Sequence, residues 1–590
     1  RHTRLVSDWS SDVCFFRSKI NWIFTGMIWL LNCNFGSAQT ERILLDGYFQ
    51  DWEQTGTAFS DTKNDGKFGF DYNQLKIFND DNYLYINFDL GLEINLQETN
   101  DVVFYLDADD NPATGYVFDG IGAEIIFRFG ERKGTFYRNT NTYNVKHSDI
   151  GLVTLPSVSS DRFELCIRKN ASVSGFQLFS GNSMRMILQQ DVPNGDKFPD
   201  GTGGITYTWQ QNQLEPLPVY SIKRATDTDF RIMTQNVLTD DLFSKTSYFN
   251  RLINAIQPDI IAFQEIYDHT AAQTRELIQQ FTGGTWYAQK QGTDIILVSR
   301  YPILESHFIS GNGAFLVQTN EGKILVVNAH LPCCDNDSGR QDEVDAIMAF
   351  IRDAKNGNSS LLLDPNSPII ITGDMNFVGK SRQLRTYLEG DIQNEFSYGP
   401  DFHPDWDNTA LKDAVLYTTA SPMAVTWSSS GSSYFPGRLD YIIYTDAVLN
   451  RLNGFALQTA NLPQDSLNAY LVLANDSNNA SDHFAVVSDF KFGPETAVSV
   501  PSITTSLNAR LSPTVFNEQM KIILSSRLPG KININIFNIN GQAVCSKEAE
   551  IQASEDQQLN LDTHGWPSGM YVVQIRQHHE MISLKAVKGE

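Results

Sequence analysis

The sequence predicts a multidomain chain in which a central α/β domain lies between two β-rich domains. Residues 41–222 and 507–590 alternate short apolar strands with turns rich in Asp, Asn and Gly. Residues 228–492 differ, because continuous apolar runs such as Ile260–Phe263 are typical of strands buried on both faces. Between those runs, segments such as Arg340–Arg352 carry apolar residues at helical spacing.

Length and composition support this organisation and exclude several classes of protein. The 590 residues correspond to roughly three to four domains of ordinary size. A hydrophobic content of 41% excludes disorder for the bulk of the chain, and 6 Cys are too few for a disulfide scaffold. The formal net charge of −24 disfavours a broad basic surface for nucleic acid. It still allows a polyanionic substrate, because bound divalent metals reverse the local field.

The first 38 residues have the pattern of a secretory signal peptide. Arg17 and Lys19 precede the apolar run Ile20–Leu31, and the small residues of Gly36–Ala38 predict cleavage after Ala38. The alternative is a membrane anchor. The apolar run spans 12 residues, whereas a bilayer requires about 20, so we expect export and no stable membrane insertion.

Short polar clusters adjoin the apolar runs of the central domain. Because strand ends from one sheet edge converge, side chains of separate clusters can form one site. In chain order the clusters are Gln235-Asn236, Gln264-Glu265, Asn328-Ala329-His330, Gly373-Asp374-Met375-Asn376, Gly437-Arg438-Leu439-Asp440-Tyr441 and Ser481-Asp482-His483.

These residue types suit the hydrolysis of a phosphate ester. Asn236, Glu265 and Asp482 offer hard oxygen ligands for Mg²⁺, Mn²⁺ or Ca²⁺. Such an ion neutralises charge on a phosphate oxygen and on the leaving oxygen. Two histidines allow one proton to be removed and another donated, and Asp440 fits the role of orienting His483.

The ordered series of motifs resembles the endonuclease/exonuclease/phosphatase superfamily, which includes deoxyribonuclease I and neutral sphingomyelinases. The motifs are QNVLTD, PDIIAFQEI, NAHL, GDMN, GRLDYI and SDHFAV. The resemblance implies that residues 228–492 form a four-layer α/β sandwich, which is the deoxyribonuclease I-like fold, and that the protein is a metal-dependent phosphoric ester hydrolase.

The same resemblance implies a role for each matching residue. Asn236, Glu265 and Asp482 would surround the metal, while Asp374 and Asn376 would position or activate the attacking water and hold the phosphate. His483, paired with Asp440, would be the general base or a phosphate contact. His330 would stabilise the transition state or protonate the leaving group. Whether Asp374 or His483 is the base stays open.

The substrate within this class also stays open. We expect phosphodiester hydrolysis by an extracellular nuclease, with a phosphatase or a sphingomyelinase-like phospholipid phosphodiesterase as the alternative. Residues 229–491 hold 17 basic and 31 acidic side chains, a net charge of −14, which weakens the case for a tight binder of long DNA. An alternative of another class is a non-catalytic cell-surface protein that binds glycan.

Three features near the motifs have two interpretations each. Arg438 either approaches the phosphate or forms a structural ion pair. Cys333 and Cys334 are either a vicinal disulfide or two small apolar residues beside the site. Pro400–Asp407, with Trp427 and Tyr434–Pro436, forms either an aromatic rim for substrate or ordinary loop packing.

The N-terminal β-rich segment contains a candidate calcium loop. Asp107, Asp109 and Asn111 alternate oxygen-bearing side chains, and Glu124 completes a possible set. The alternative is an Asx-rich turn without metal. The motifs Leu45–Trp52, Asn79–Tyr85 and Leu106–Gly115 resemble family 9 carbohydrate-binding modules. That resemblance implies a β-sandwich over residues 41–222, serving either in glycan binding or as a spacer.

The C-terminal segment follows a linker at residues 493–506 that is rich in Pro, Ser and Thr. Its motifs resemble the C-terminal sorting domain of type IX secretion substrates, and they are Leu511–Asn517, Ile534–Gln542, Pro567–Val573 and Lys585–Lys588. The resemblance implies a small β-sandwich at residues 507–590, a Bacteroidetes cell, and the type IX machinery as a partner. We therefore expect a secreted or cell-surface protein.

Overall fold

The computed structural model describes residues 41–67, 69–212, 214, 217, 221–495, 507–511, 513–526, 530–538, 542–551, 557–577 and 580–589. The predicted signal peptide and most of the predicted linker lie outside these residues. The chain divides into two compact units. One contains the residues up to Thr445 together with Leu452–Lys491, and the other contains Asp446–Arg451 and the residues from Phe492 onward.

The N-terminal β-domain, residues 41–212, consists of two main antiparallel sheets, ordered β1-β2-β3-β11-β10 and β15-β14-β4-β7-β8-β9, with β16 also paired to β14. The pairs β5-β6 and β12-β13 form small separate hairpins. The elements are β1 (Thr57–Ser60), β2 (Gln74–Asn79), β3 (Tyr83–Ile94), β4 (Val102–Asp107), β5 (Tyr116–Phe118), β6 (Ile121–Ala123), β7 (Ile125–Arg128), β8 (Lys133–Arg138), β9 (Asn141–Val145), α1 (His147–Ile150), β10 (Val153–Leu155), β11 (Ser160–Arg168), β12 (Ser172–Val173), β13 (Phe176–Gln177), β14 (Ser183–Gln190), β15 (Lys197–Phe198) and β16 (Ile205–Thr208).

One hydrophobic core fills the space between the two main sheets of this domain. Ile77 and Ile86 come from the first sheet, and Phe104, Phe127 and Met186 come from the second; all five are buried. The alternation of apolar and polar residues along each strand directs one face of each sheet into this core.

The central domain contains two further sheets of six strands each, with the orders β19-β20-β18-β17-β28-β27 and β21-β22-β23-β24-β26-β25. Its elements are β17 (Phe230–Asn236), α2 (Asp241–Ser244), α3 (Thr246–Ile256), β18 (Ile260–Gln264), α4 (Ala271–Thr282), β19 (Tyr287–Gln291), β20 (Ile295–Ser299), β21 (Ile303–Ile309), β22 (Asn312–Gln318), β23 (Lys323–His330), α5 (Asp337–Lys355), β24 (Ile369–Asp374), α6 (Arg382–Glu389), α7 (Glu395–Tyr398), β25 (Lys412–Asp413), β26 (Asp440–Tyr444), β27 (Leu449–Leu457), α8 (Gln464–Tyr470), α9 (Asp476–Ala480) and β28 (Ala485–Phe492).

Helices pack on both sheets of the central domain. The apolar side of α3, with Phe249 and Ile253, shares a core with the first sheet. Val344 and Ile351 of α5 share another core with the second sheet. Helix α4 begins with a capping box at Thr270, whose side chain accepts a hydrogen bond from the third helical N–H group and so satisfies an otherwise free donor.

Strand direction brings the ends of several strands to one edge. Strands β17 and β18 are parallel, with Asn236 opposite Gln264. Strands β23 and β24 are also parallel, with His330 opposite Asp374. Strand β26 runs antiparallel to β24, so its first residue, Asp440, lies opposite Asp374. The polar clusters therefore meet where the parallel strands end.

The C-terminal β-domain has two sheets, ordered β29-β31-β34 and β30-β36-β35-β32-β33. Ile522 of the first sheet and Ile534 and Val573 of the second are buried in a shared core. The strands are β29 (Leu507–Leu511), β30 (Val515–Phe516), β31 (Gln519–Ser526), β32 (Gly530–Asn538), β33 (Ala543–Ile551), β34 (Gln557–Asp562), β35 (Gly569–Gln577) and β36 (Glu580–Lys588).

The predicted multidomain organisation is confirmed, and the described residues form mostly β-sheets with few helices. The four-layer arrangement of the central domain and the exact domain boundaries stay predictions. Among the described residues, no helix combines the length and the apolar character that crossing a membrane requires.

Candidate active site

Asp374, at the end of β24, is the centre of the converging polar clusters. Its Oδ2 atom lies 3.8 Å from His330 Nε2 and 3.6 Å from His483 Nε2. The same oxygen accepts hydrogen bonds from Asn236 Nδ2 at 3.0 Å and from Asn376 Nδ2 at 3.3 Å. Residues from both sheets of the central domain thus surround one buried carboxylate oxygen.

Each histidine is oriented by a carboxylate on its other ring nitrogen. His483 Nδ1 donates to Asp440 Oδ2 at 2.9 Å, which is the pairing that the sequence predicts. His330 Nδ1 donates to Asp294 Oδ2 at 2.6 Å. Both rings therefore present Nε2 to Asp374.

Asp294 is a site residue that the sequence analysis missed. It directly precedes the buried apolar strand β20, just as Asp440 begins the buried strand β26. The signal in the sequence that could have found Asp294 is therefore a polar residue directly before an apolar run. What identifies Asp294 as a partner of His330 is the fold, since β20 and β23 belong to different sheets.

Acidic neighbours control the charge of both histidines. Burial alone lowers the pKa of His330, but the Asp294 hydrogen bond and the charge of Asp374 outweigh it and raise that pKa to about 9. The pKa of His483 is likewise lowered by burial and raised, to about 10, by Asp440 and Asp374. Burial raises the pKa of Asp440 to about 6, against the opposing charge of His483. In the metal-free protein at neutral pH, these acidic neighbours favour the cationic, doubly protonated form of both imidazoles.

The predicted metal ligands lie around this centre. Asn236 Nδ2 also donates to Glu265 Oε1 at 2.9 Å, and Glu265 Oε2 accepts from the backbone N–H of Thr239 at 2.8 Å. Asp482 Oδ2 accepts from Trp427 Nε1 at 3.0 Å, while its buried Oδ1 has no hydrogen-bond partner among the described residues.

This donor set fits a divalent cation. A buried carboxylate oxygen without a partner is costly, and a hard cation is the usual partner for such oxygens. Among the described residues of this site, the ligand atoms of Asp374, Asp440 and His483 lie within 4.8 Å of one another. Glu265 connects to that group through Asn236, which donates to both carboxylates. Asp374 is therefore a further possible ligand besides the three residues that the sequence suggests.

Other polar residues of the motifs have structural partners. Gln264 Nε2 donates to Asn328 Oδ1 at 2.6 Å, and this fully buried hydrogen bond joins a strand of one sheet to a strand of the other. Gln235 Nε2 donates to the backbone carbonyl of His483 at 3.1 Å and so supports the loop before β28.

The features with two interpretations are decided largely by packing. Arg438 forms a buried two-point ion pair with Asp413, as the structural alternative expects. Phe435 is buried in the core of the N-terminal β-domain, so it is not part of an aromatic rim. Within the 400–407 segment, Trp406 donates to the carbonyl of Ser367, which is ordinary loop packing.

Cys333 and Cys334 are exposed free thiols with their Sγ atoms 2.6 Å apart. Partial desolvation of this largely exposed thiol and the neighbouring Cys334 raise the pKa of Cys333 to about 11, and the charge of Asp374 adds a smaller effect in the same direction. The pair is thus beside the candidate active site.

The candidate calcium loop of the N-terminal β-domain also forms a cluster. Ligand oxygens of Asp107, Asp109 and Glu124 lie within 4.8 Å of one another. Asn111 donates its backbone N–H to Asp107 Oδ1 at 3.0 Å, and its side chain accepts from Ala113. Glu124 Oε1 is buried without a hydrogen-bond partner among the described residues.

Family comparisons identify two segments of the chain. Residues 233–483 match the model of the endonuclease/exonuclease/phosphatase family, and residues 513–588 match the secretion system C-terminal sorting domain. The chain therefore contains an endonuclease/exonuclease/phosphatase domain and a type IX sorting tail, as the motifs predict. The resemblance of the N-terminal β-domain to carbohydrate-binding modules stays a prediction. No curated protein matches the chain.

Several solved structures are similar to the chain at low identity. ANGEL2, described as a 2',3'-cyclic phosphatase, in complex with adenosine-2',3'-vanadate has a TM-score of 0.31 and 19% identity over 45% of this chain and 97% of that one. Truncated TDP2 from Caenorhabditis elegans has a TM-score of 0.30 and 15% identity, over 44% of this chain and 96% of that one. Sphingomyelinase C from Streptomyces griseocarneus has a TM-score of 0.27 and 13% identity, over 44% of this chain and 98% of that one.

Proposed function

We propose that the protein is a secreted, metal-dependent phosphoesterase that hydrolyses phosphodiester bonds, with extracellular nucleic acid as the leading substrate. The observation that carries this proposal is the convergence of His330 Nε2 and His483 Nε2 on Asp374 Oδ2. Two proton-transfer groups on one buried carboxylate suit a reaction that removes one proton and delivers another.

In the proposed reaction a water oxygen attacks phosphorus and the bond to the leaving oxygen breaks. Either Asp374 or His483 takes the proton of the water; if His483 does so, Asp440 balances the charge that forms on its ring. His330, protonated at Nε2 in the resting state and held by Asp294, delivers a proton to the leaving oxygen. Asn376 and Asn236 hold Asp374 in position through their amide groups.

Glu265, Asp482 and Asn236 would hold the divalent cation, either Mg²⁺ or one of the alternatives Mn²⁺ and Ca²⁺. When bound, such an ion neutralises charge on the phosphate. With a cation held by Asp482, a protonated ring at the adjacent His483 would be disfavoured by repulsion, which would leave His483 available as a base.

A substrate panel tests this function. It contains DNA, RNA, sphingomyelin, bis-p-nitrophenyl phosphate and p-nitrophenyl phosphate, each with Mg²⁺ and with EDTA. We expect metal-dependent turnover of bis-p-nitrophenyl phosphate and of a nucleic acid. Turnover of sphingomyelin alone or of the monoester alone would replace the nuclease assignment by the phospholipid or phosphatase alternative. No metal-dependent turnover at all would favour the glycan-binding alternative.

The site assignment has matched controls in the same domain. His330→Ala and His483→Ala should each remove most of the turnover, whereas His403→Ala, at an exposed loop position, should not change it. Equal activity of all three variants would refute the assigned site.

The sorting tail indicates type IX secretion to the cell surface or the extracellular space. We propose that residues 1–38 direct the first export step as a signal peptide. We also propose that Asp107, Asp109, Asn111 and Glu124 bind a structural Ca²⁺ in the N-terminal β-domain. Glycan binding by that domain stays a prediction, to be tested with a glycan array.

A further inference from the structure

A loop of the central domain, from Trp427 to Gly437, connects the candidate active site with the N-terminal β-domain. The two ends of this loop are joined, because the backbone N–H of Trp427 donates to the carbonyl of Gly437 at 3.0 Å and the reverse bond measures 3.1 Å. We call this segment the bridging loop. Its two ends form its base, and residues 432–435 form its tip.

The base of the bridging loop holds two of the candidate site residues. Trp427 Nε1 donates to Asp482 Oδ2 at 3.0 Å, and the N–H of Ser428 donates to the carbonyl of Asp482 at 3.0 Å. Just before the loop, Thr426 Oγ1 accepts from the N–H of Asp440 at 2.9 Å. The positions of both aspartates thus depend on the base of this loop and on the residue directly before it.

The tip of the bridging loop is embedded in the other domain. Phe435 is only 1% exposed and belongs to the hydrophobic core of the N-terminal β-domain. Its ring centroid lies 5.6 Å from that of Phe127 and 5.9 Å from that of His147. Its backbone N–H donates to Gln97 Oε1 at 2.7 Å.

Neighbouring residues of the tip add polar contacts. His147 Nε2 is 3.1 Å from the carbonyl oxygen of Ser432, and the Arg132 guanidinium lies 4.1 Å above the ring of Tyr434. A spacer that only separated two domains would not need a residue of one domain in the core of the other. These contacts fix the tip at several points.

We propose that the N-terminal β-domain is a positioning element of the active site, which anchors the bridging loop through Phe435 and thereby fixes Asp482 and Asp440. This inference rests on the proposed function. Phe435 is a positioning residue, because it acts through Trp427 and Thr426 and touches no reacting group. Loss of the anchor frees the tip, and the base then holds Asp482 in a broader range of positions.

Two substitutions at Phe435 and a control within the same core test the proposal in the full chain. Phe435→Ala removes the anchor, and Phe435→Leu keeps an apolar side chain of similar size. Phe136→Leu changes an equally buried ring whose aromatic contacts are with Tyr143 and Phe176 instead. Circular dichroism and melting temperature establish that each variant folds.

For Phe435→Ala we expect kcat/KM to fall roughly 10- to 100-fold, as small misplacements of catalytic groups do. We also expect half-activation to require more Mg²⁺, and amide hydrogen exchange to rise at residues 427–437. Phe435→Leu should show the same three changes with smaller magnitudes. This result would support the proposal even if the alanine variant does not fold. Phe136→Leu should lower the melting temperature without any of these changes.

Unchanged exchange at residues 427–437 and unchanged Mg²⁺ dependence in a folded Phe435 variant would overturn the proposal. Equal shifts in Phe136→Leu would also overturn it, because they would reflect general destabilisation. Amide hydrogen exchange and the calorimetric measurement of Mg²⁺ binding can both be made without a substrate. If the wild type hydrolyses nothing on the panel while these two measurements change only at Phe435, the proposed function fails and the positioning role stands.

Discussion

The candidate active site and the acidic cluster of the N-terminal β-domain use similar carboxylates in different surroundings. Each contains a buried carboxylate oxygen without a hydrogen-bond partner among the described residues, on Asp482 and on Glu124. Around the first lie two imidazoles with carboxylate partners, and the three-residue cluster around the second contains carboxylates alone. The first arrangement can transfer protons, whereas the second offers only ligands for a cation.

The protonation of these groups shows the same contrast. The acidic neighbours of His330 and His483 raise the pKa of both rings, so opposite charges compensate each other at neutral pH. In the acidic cluster, burial and the charges of Asp109 and Asp107 raise the pKa of Glu124 to about 7, against the hydrogen bond from the backbone N–H of Ala108. A carboxylate cluster of this kind is stabilised by a cation or by protonation.

The largest effect should come from Asp374→Asn, because that oxygen is common to both histidines. We expect kcat on bis-p-nitrophenyl phosphate to fall on the order of a thousandfold or more, within the range of general acid–base contributions. Asp364→Asn, at an exposed residue paired with Lys323, is the control and should retain full activity. Similar rates for the two variants would remove Asp374 from the centre of the site.

Asp294→Asn should have the next largest effect. Without its carboxylate partner, His330 loses both its orientation and part of the charge that keeps it protonated. We expect a loss of roughly 10- to 100-fold, as for other residues that orient a functional histidine. The basic limb of the pH–rate profile should also move to lower pH. A loss of activity with an unchanged pH profile would assign Asp294 a merely structural role.

Calcium should stabilise the folded protein through the acidic cluster without changing activity when Mg²⁺ is saturating. Saturation with Ca²⁺ to 100 times its dissociation constant would stabilise the folded state by about 2.7 kcal/mol. We therefore expect Ca²⁺ to raise the melting temperature of the wild type and of Glu131→Gln, an exposed control, but to raise that of Glu124→Gln much less. Activity at saturating Mg²⁺ should be the same in all three. An equal Ca²⁺ response in Glu124→Gln would leave the Asx-rich turn as the correct interpretation.

The last prediction concerns the pH dependence of stability in the metal-free protein. The pKa values of His330 and His483 in the folded state, about 9 and about 10, lie above the ordinary value of 6.5. Their contribution to stability is therefore complete below pH 6.5 and is lost as pH rises through 9 to 10. Urea unfolding in EDTA at pH 6.5, 8 and 10 measures this loss, which should be smaller in His483→Ala. If the unfolding free energy falls with pH as steeply in the variant as in the wild type, the raised pKa of His483 is contradicted.

The acidity of the chain gains a partial explanation from the structure. Carboxylates of the central domain orient histidines, pair with Asn236, or form the buried ion pair of Asp413 with Arg438. With that arginine committed to its partner, the domain has no arginine in its motifs left for phosphate. Tight binding of a long nucleic acid without metal is thus disfavoured, in agreement with the net charge of −14 for residues 229–491.

The sequence by itself determined several of the buried strands, the polar clusters that adjoin them, and the two segments that match known families. Continuous apolar runs mark buried strands, so the polar clusters of His330, Asp374 and His483, which adjoin such runs, could be expected to meet at strand ends. Only the tertiary structure decided that Asp294 orients His330 and that Phe435 anchors the bridging loop in another domain. Both contacts join residues that are distant in sequence, and neither an aspartate before a strand nor a phenylalanine in a loop indicates its partner. Such contacts depend on how sheets and domains pack, which local sequence patterns do not encode.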